Sequence, residues 1–225
     1  MKKSTDIILY SIVIPYYNSL VIQQLYTDLI LFFQYLETAY EIIIVNDSSD
    51  KAKMHFLDSL KQNNPNIKVY HFEKNFGQDY STGFGISKSS GKYIITIDDD
   101  LEFPVKEINK LISAIGKSSS EVIYGLPSKH KNSFFRKFSR IFYYALIKLC
   151  GHNEFGSFRL LSFDLKEKIA LHLNDKNFCI DKLILHEART IKRILIMNHP
   201  KEKSRYGKLK LFRKFLLFFT YSYNN

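Results

Sequence analysis

Apolar residues in the first half of the chain form short solid blocks. Between the blocks they recur every three or four positions. Ser11-Ile12-Val13-Ile14-Pro15 is one block, ending at a proline. Glu41-Ile42-Ile43-Ile44-Val45 is another, closed by the polar run Asn46-Asp47-Ser48-Ser49-Asp50. Blocks that are apolar on successive residues predict strands buried on both faces. Leu25, Leu29, Phe32, Phe33 and Leu36 keep helical spacing between them. The alternation continues with a helix over Met54 to Gln62 and a strand over Ile67 to Phe72. A helix over Asp79 to Ser87 and a strand over Tyr93 to Ile97 follow. This order predicts an α/β domain with a mostly parallel central sheet and helices on both faces.

The second half is less regular. A helix is predicted at about 105–116, a strand over Glu121-Val122-Ile123-Tyr124-Gly125 and a basic helix over 134–149. A short strand at Phe158-Arg159-Leu160-Leu161 leads to helices over Asp164 to Leu173 and Lys176 to Arg189, then a strand over Ile191 to Met197. The 225 residues suit one domain over 1–200, followed by a basic amphipathic segment over 201–225. No apolar run reaches the roughly 18 residues of a membrane-spanning helix. The basic start, Met1-Lys2-Lys3, meets Pro15 too soon for a signal peptide. Cys150 and Cys179 show no metal-type or disulfide-framework spacing, so a reducing compartment is the default.

Charge changes the picture in the second half. The net charge is +11 and 15% of residues are aromatic. The excess sits in two segments. Lys129, Lys131, Arg136, Lys137, Arg140 and Lys148 alternate with apolar and aromatic residues, and Lys201 to Lys214 precedes Phe215-Leu216-Leu217-Phe218-Phe219. Basic, aromatic, amphipathic stretches suit an anionic membrane surface. A solvated face is the plainer reading. Nucleic acid is disfavoured, because no nucleic-acid motif is present.

Candidate chemistry concentrates at Asp98-Asp99-Asp100, directly after the predicted strand Tyr93 to Ile97. A buried strand that delivers three carboxylates to its end needs positive charge nearby. A divalent metal carrying a diphosphate meets that need, since hard cations take carboxylate oxygens and bring phosphates with them. A solvated acidic turn is the alternative. Ligands of open α/β sheets bind outside the carboxyl ends of the strands. Asn18, Asp47 and the acidic triplet all follow strand ends and should therefore share one crevice.

These residues, in this order, resemble glycosyltransferase family 2. That inverting family of GT-A fold includes dolichyl-phosphate mannose synthase and bacterial undecaprenyl-phosphate sugar transferases. The resemblance rests on Ser11-Ile12-Val13-Ile14-Pro15-Tyr16-Tyr17-Asn18, Val45-Asn46-Asp47-Ser48-Ser49-Asp50 and Asn75-Phe76-Gly77-Gln78 with Gly83. It continues through Asp98-Asp99-Asp100-Leu101-Glu102-Phe103-Pro104, Gly156-Ser157-Phe158-Arg159-Leu160 and Arg205-Tyr206-Gly207-Lys208-Leu209-Lys210. It implies that Pro15, Tyr17, Val45 and Asp47 hold the donor nucleoside. It implies that Asp98 and Asp100, with Glu102 near, bind Mg2+ or Mn2+ and the donor diphosphate, and that Asp99 adds a backbone contact. Arg136, Arg159 and Lys210 would face donor or acceptor phosphates. Ser19 stands where the family usually has glutamate, Asn46 replaces the first loop aspartate and Leu209 replaces the terminal serine. Most lipid-phosphate relatives continue into a transmembrane hairpin, whereas this sequence stops at Asn225.

The implied reaction is in-line displacement at the anomeric carbon of a nucleotide sugar, with inversion. The acceptor stays open. A polyprenyl phosphate is anionic near neutrality, its second pKa being about 6, and attacks without a base. A lipid-linked surface polysaccharide offers a hydroxyl and needs a carboxylate base, for which Asp181 and Glu154 are the candidates. A noncatalytic, membrane-associated partner of another transferase is the reading from a different class. The expected setting is the cytoplasmic face of a bacterial plasma membrane, in cell-envelope glycan synthesis. Oligomeric state, a homo-oligomer included, is open.

Overall fold

The computed structural model describes residues 8–48, 50–62, 64–128, 156–175 and 177–199. The predicted segments 134–149 and 201–225 lie outside them. The chain runs β1 (Tyr10–Tyr16), α1 (Ile22–Tyr35), β2 (Tyr40–Asn46), α2 (Lys51–Gln62), β3 (Ile67–His71), α3 (Gln78–Ser87) and β4 (Tyr93–Thr96). A 3-10 turn, Val105–Glu107, leads into α4 (Ile108–Gly116) and β5 (Val122–Pro127). The described chain resumes before β6 (Arg159–Ser162) and continues through α5 (Asp164–Leu171), α6 (Ile180–Glu187) and β7 (Ile191–Ile196).

All seven strands form one sheet in the order β3-β2-β1-β4-β6-β5-β7. It is mostly parallel, as the alternation of elements predicts. The exception is β6, which is antiparallel to both β4 and β5. Period-two alternation explains the solid apolar blocks. Ile12, Ile14, Ile42 and Ile44 join Leu25, Leu29 and Phe33 of α1 in one core. Val13, Ile43 and Val45 join Ile86, Leu165, Ile169 and Leu183 in a second. Gly85 lets α3 lie close on the sheet, because a Cβ there would stand 2.4 Å from Val13 Cγ1.

Two element boundaries differ from the sequence reading for local reasons. The helix expected from Lys176 begins at Ile180, after Asn177 takes a left-handed φ of 63° and Cys179 is extended. The helix expected over 105–116 opens as a 3-10 turn after Pro104. At the edge opposite the ligand end, buried Glu41 ties β1 and β2 to the loop after α3. Its Oε1 accepts bonds from Ser11 Oγ at 2.6 Å and the Ser90 amide at 2.5 Å, and Oε2 meets Lys68 Nζ at 2.6 Å.

Burial by itself would raise the Glu41 pKa, but the bonds from Lys68, Ser11 and Ser90 outweigh it and hold the carboxyl below 4.5. A depressed folded-state pKa contributes stability above the unfolded value that is lost as pH falls through the folded one. Glu41→Gln is therefore expected to lose about 2 kcal/mol at neutral pH. The deficit should shrink as pH falls below the ordinary carboxylate value. Urea unfolding at pH 7 and at pH 3.5 checks this, and a deficit constant with pH would exclude the charged role.

Candidate active site

The carboxyl ends of β1, β2 and β4 and the start of α3 border a cleft of about 370 Å³. Pro15, Tyr16, Tyr17 and Asn18 come from the end of β1, and Asp47 follows β2. Asn75, Gly77, Gln78 and Ser81 belong to the start of α3 and the loop before it, and Asp98, Asp99 and Asp100 follow β4. The crevice expected from the strand ends is thus assembled. Asn18, Asp47 and the triplet all line it.

Each carboxylate is held by a different donor set. Asp47 is 3% exposed and accepts the Phe76 amide at 2.7 Å on Oδ1 and the Gly77 amide at 2.9 Å on Oδ2. Gly77 presents its amide with φ at 95°, a conformation that side chains rarely adopt. Asp99 Oδ2 accepts the Tyr17 amide at 2.9 Å, and the Asp99 carbonyl accepts the Ser19 hydroxyl. These two bonds staple the β1 loop to the acidic triplet. The Asp100 carboxylate accepts the Glu102 amide at 3.0 Å across Leu101, whose left-handed φ of 55° reverses the chain. A non-glycine residue in that region stores roughly 1–3 kcal/mol and persists only where its surroundings hold it.

Asp98 is held by side chains. Oδ1 accepts Gln78 Nε2 at 2.6 Å, and Oδ2 accepts Ser157 Oγ at 2.7 Å. These two bonds orient the Asp98 carboxylate. Gln78 and Ser157 lie in motifs that the sequence displays, yet nothing in their spacing announces that they meet on one aspartate. The Gly156-Ser157-Phe158-Arg159 segment owes its composition to this junction. A Cβ on Gly156 would come within 3.2 Å of the Gly125 carbonyl, and Phe158 stacks on Phe103 at 4.9 Å.

Several expected roles do not match the positions found. Arg159 is 3% exposed and lines no part of the cleft. Its Nη1 donates to Asp181 Oδ1 at 2.5 Å, so the expectation that it faces a phosphate is corrected. Burial opposes its charge, but the Asp181 carboxylate outweighs that and moves its pKa upward. Asp181 is likewise buried and also accepts Tyr124 Oη at 3.3 Å, which removes it as a base acting in the cleft. The sequence places Arg159 and Asp181 on separate, largely apolar segments; only folding brings them together. The Val45 side chain is fully buried in the second core, close behind Gly85, and does not line the cleft. Glu102 also lies outside the lining, its backbone bonded to Asp100 and to the His199 amide. Pro15, Tyr17 and Asp47 sit in the wall, with Tyr17 48% exposed. Arg136, Lys210 and Glu154 lie outside the described residues.

A family model for glycosyl transferase family 2 matches residues 11–180. The chain belongs to this family. Among curated relatives, the uncharacterized glycosyltransferase YkcC of Bacillus subtilis is 32% identical over 176 residues, covering 75% of this chain and 53% of that protein. The undecaprenyl-phosphate 4-deoxy-4-formamido-L-arabinose transferase of Sodalis glossinidius is 27% identical over 208 residues, covering 89% of this chain and 64% of that protein. The chain therefore spans between half and two thirds of the length of these relatives. A mannosyltransferase from Pyrobaculum calidifontis, solved with GDP-Man and Mn2+, aligns with a TM-score of 0.57 at 12% identity, covering 87% of this chain and 58% of that one. At that identity the likeness shows the fold, which is GT-A.

The Asp47 bonds yield a local prediction. Asp47→Ala strands the Phe76 and Gly77 amides, at about 1–3 kcal/mol for each buried donor left without an acceptor. Hydrogen exchange at these two amides should accelerate while exchange in α1 stays as in the wild type. Unchanged protection at 76 and 77 would show that the carboxylate does not hold the loop.

Proposed function

We propose that this protein transfers a sugar from a nucleotide-sugar donor to a polyprenyl phosphate, with inversion at the anomeric carbon and dependence on a divalent metal. The observation that carries this reading is the convergence of Asp98 and Asp100 with Asp47 and Tyr17 in one cleft at the strand ends. The family gives that cleft a nucleotide sugar, and the Sodalis relative's name supplies the class of acceptor.

The residues present fit a metal that enters with its substrate. Ions of the Mg2+ type are commonly held by one or two carboxylates together with substrate phosphates, so an all-protein cage is not required. Asp98 and Asp100 would hold it. Bound there, the metal supplies positive charge against the diphosphate that leaves. The chain's own residues do the rest. Gln78 and Ser157 hold the Asp98 carboxylate in place before substrate arrives, so no reorganisation is needed at reaction. The Asp99 staple keeps the β1 loop, with Pro15 and Tyr17, in the wall where a nucleoside would lie. Asp47 fixes the 75–77 turn on the other side of that wall.

The state of Asp181 favours the lipid phosphate over a sugar hydroxyl. Asp47 and Asp99 accept backbone amides, Asp98 and Asp100 are assigned to the metal, and Asp181 is engaged by Arg159. Among the described residues, no carboxylate lining the cleft is then left for a base. A phosphate nucleophile needs none. No described helix is long and apolar enough to cross a membrane. Peripheral attachment to an anionic cytoplasmic leaflet is assigned to the basic segments 134–149 and 201–221, which lie outside the described residues.

The test is product analysis after incubation with Mn2+ or Mg2+, a nucleotide-sugar panel and undecaprenyl phosphate. A lipid-extractable sugar is expected, falling by at least a hundredfold in Asp100→Asn. Loss of one charge-stabilising group is typically worth about 10²–10³ in rate. Nucleotide-sugar hydrolysis without lipid product would overturn the lipid acceptor and point to a saccharide. Full turnover in Asp100→Asn would overturn the metal-site reading.

A further inference from the structure

A row of buried polar side chains runs behind the cleft and ends on Asp98. Thr96, Arg159 and Tyr124 are register partners on the adjacent strands β4, β6 and β5. Partners in register share one face of a sheet. Asp181 of α6 meets the row there, accepting from Arg159 Nη1 at 2.5 Å and from Tyr124 Oη at 3.3 Å. Arg159 Nε donates to Thr96 Oγ1 at 3.1 Å. Thr96 Oγ1 donates to the Ser157 carbonyl at 2.5 Å, and Ser157 Oγ donates to Asp98 Oδ2 at 2.7 Å.

The row has a direction. A guanidinium only donates, and a hydroxyl has a single proton to give. With Arg159 Nε as its donor, Thr96 is an acceptor on that side, and its proton goes to the Ser157 carbonyl. That bond fixes the Ser157 backbone beside β4, from which its hydroxyl reaches Asp98. Stability alone does not call for such an arrangement. Apolar residues of similar volume commonly replace a buried ion pair with no loss, or with a gain. What an apolar pair cannot do is orient the Thr96 hydroxyl.

We propose that Arg159 and Asp181 are positioning residues that act through Thr96 and Ser157 to hold the Asp98 carboxylate in the orientation that receives a divalent cation. The inference rests on the reading of Asp98 as a metal-binding carboxylate. Neither residue lines the cleft. Groups that orient a ligating side chain typically account for about 10- to 100-fold in metal affinity.

The experiment measures Mn2+ affinity of the full chain, with and without a nucleoside diphosphate, from the electron paramagnetic resonance signal of free Mn2+. Thermal melting runs in parallel. Thr96→Val and Ser157→Ala each remove one link, and the double variant Arg159→Met/Asp181→Leu replaces the pair with apolar volume. Roughly tenfold weaker Mn2+ binding is expected in all three. Melting of the double variant should be at or above wild type. Wild-type affinity in a folded double variant would make the pair a packing element and overturn the proposal. If the double variant does not fold, Thr96→Val decides: weakened binding supports the proposal and wild-type binding overturns it. Asp98→Asn separates the two levels of the argument. Unchanged Mn2+ affinity there overturns the metal reading itself. Lost affinity in Asp98→Asn with wild-type affinity in the other variants overturns only the positioning role.

Discussion

Four carboxylates share the wall of one cleft, and the local structure is organised to keep them there. Like charges gathered in a partly buried site repel one another and lose hydration, so each needs donors of its own. Asp47 accepts the Phe76 and Gly77 amides, Asp99 the Tyr17 amide, Asp100 the Glu102 amide, and Asp98 the Gln78 carboxamide and the Ser157 hydroxyl. The donors come from loops that are remote in sequence. Supplying them ties the β1 loop to the triplet, the β2 end to the α3 start, and the β6 approach to Asp98. The same bonds that make the acidic site tolerable give the cleft its shape.

The antiparallel strand β6 is what joins the cleft side of the sheet to its far half. It lies between β4 and β5, so the residues just before it arrive at the carboxyl end of β4, beside Asp98. Tight packing governs that arrival. Phe158 fills the space beside Gly125, where a Cβ would approach its ring to 2.6 Å, and Gly156 lies against the Gly125 carbonyl. Small residues at 125 and 156 bring the backbones close enough for Ser157 to reach across. The buried pair of Arg159 and Asp181 lies behind this junction.

Much of the fold was legible in the sequence. Strands buried on both faces have to be apolar at successive positions, and β1, β2 and β4 carry that mark. The place of the acidic triplet in the cleft was legible too, because it directly follows an apolar strand and strand ends border the crevice of an open sheet. Less was legible about the partners of these groups. Arg159 and Asp181 lie 22 positions apart on different elements, and no local pattern says that each is the other's counter-ion. Val45 sits within one of the motifs that carry the resemblance, yet strand alternation turns its side chain into the core, away from the wall that Pro15 and Asp47 help to form.

Local chemistry, then, determined the α/β class, the placing of the acidic groups at strand ends and the family of the chain, because hydrophobic period and motif order are properties of neighbours along the backbone. Tertiary structure alone decided which donor meets which carboxylate and that β6 runs against its neighbours. It also turned two charged residues suited to a substrate toward each other. Those outcomes depend on distances across the sheet between segments far apart in the chain, and such distances exist only once the two cores have closed.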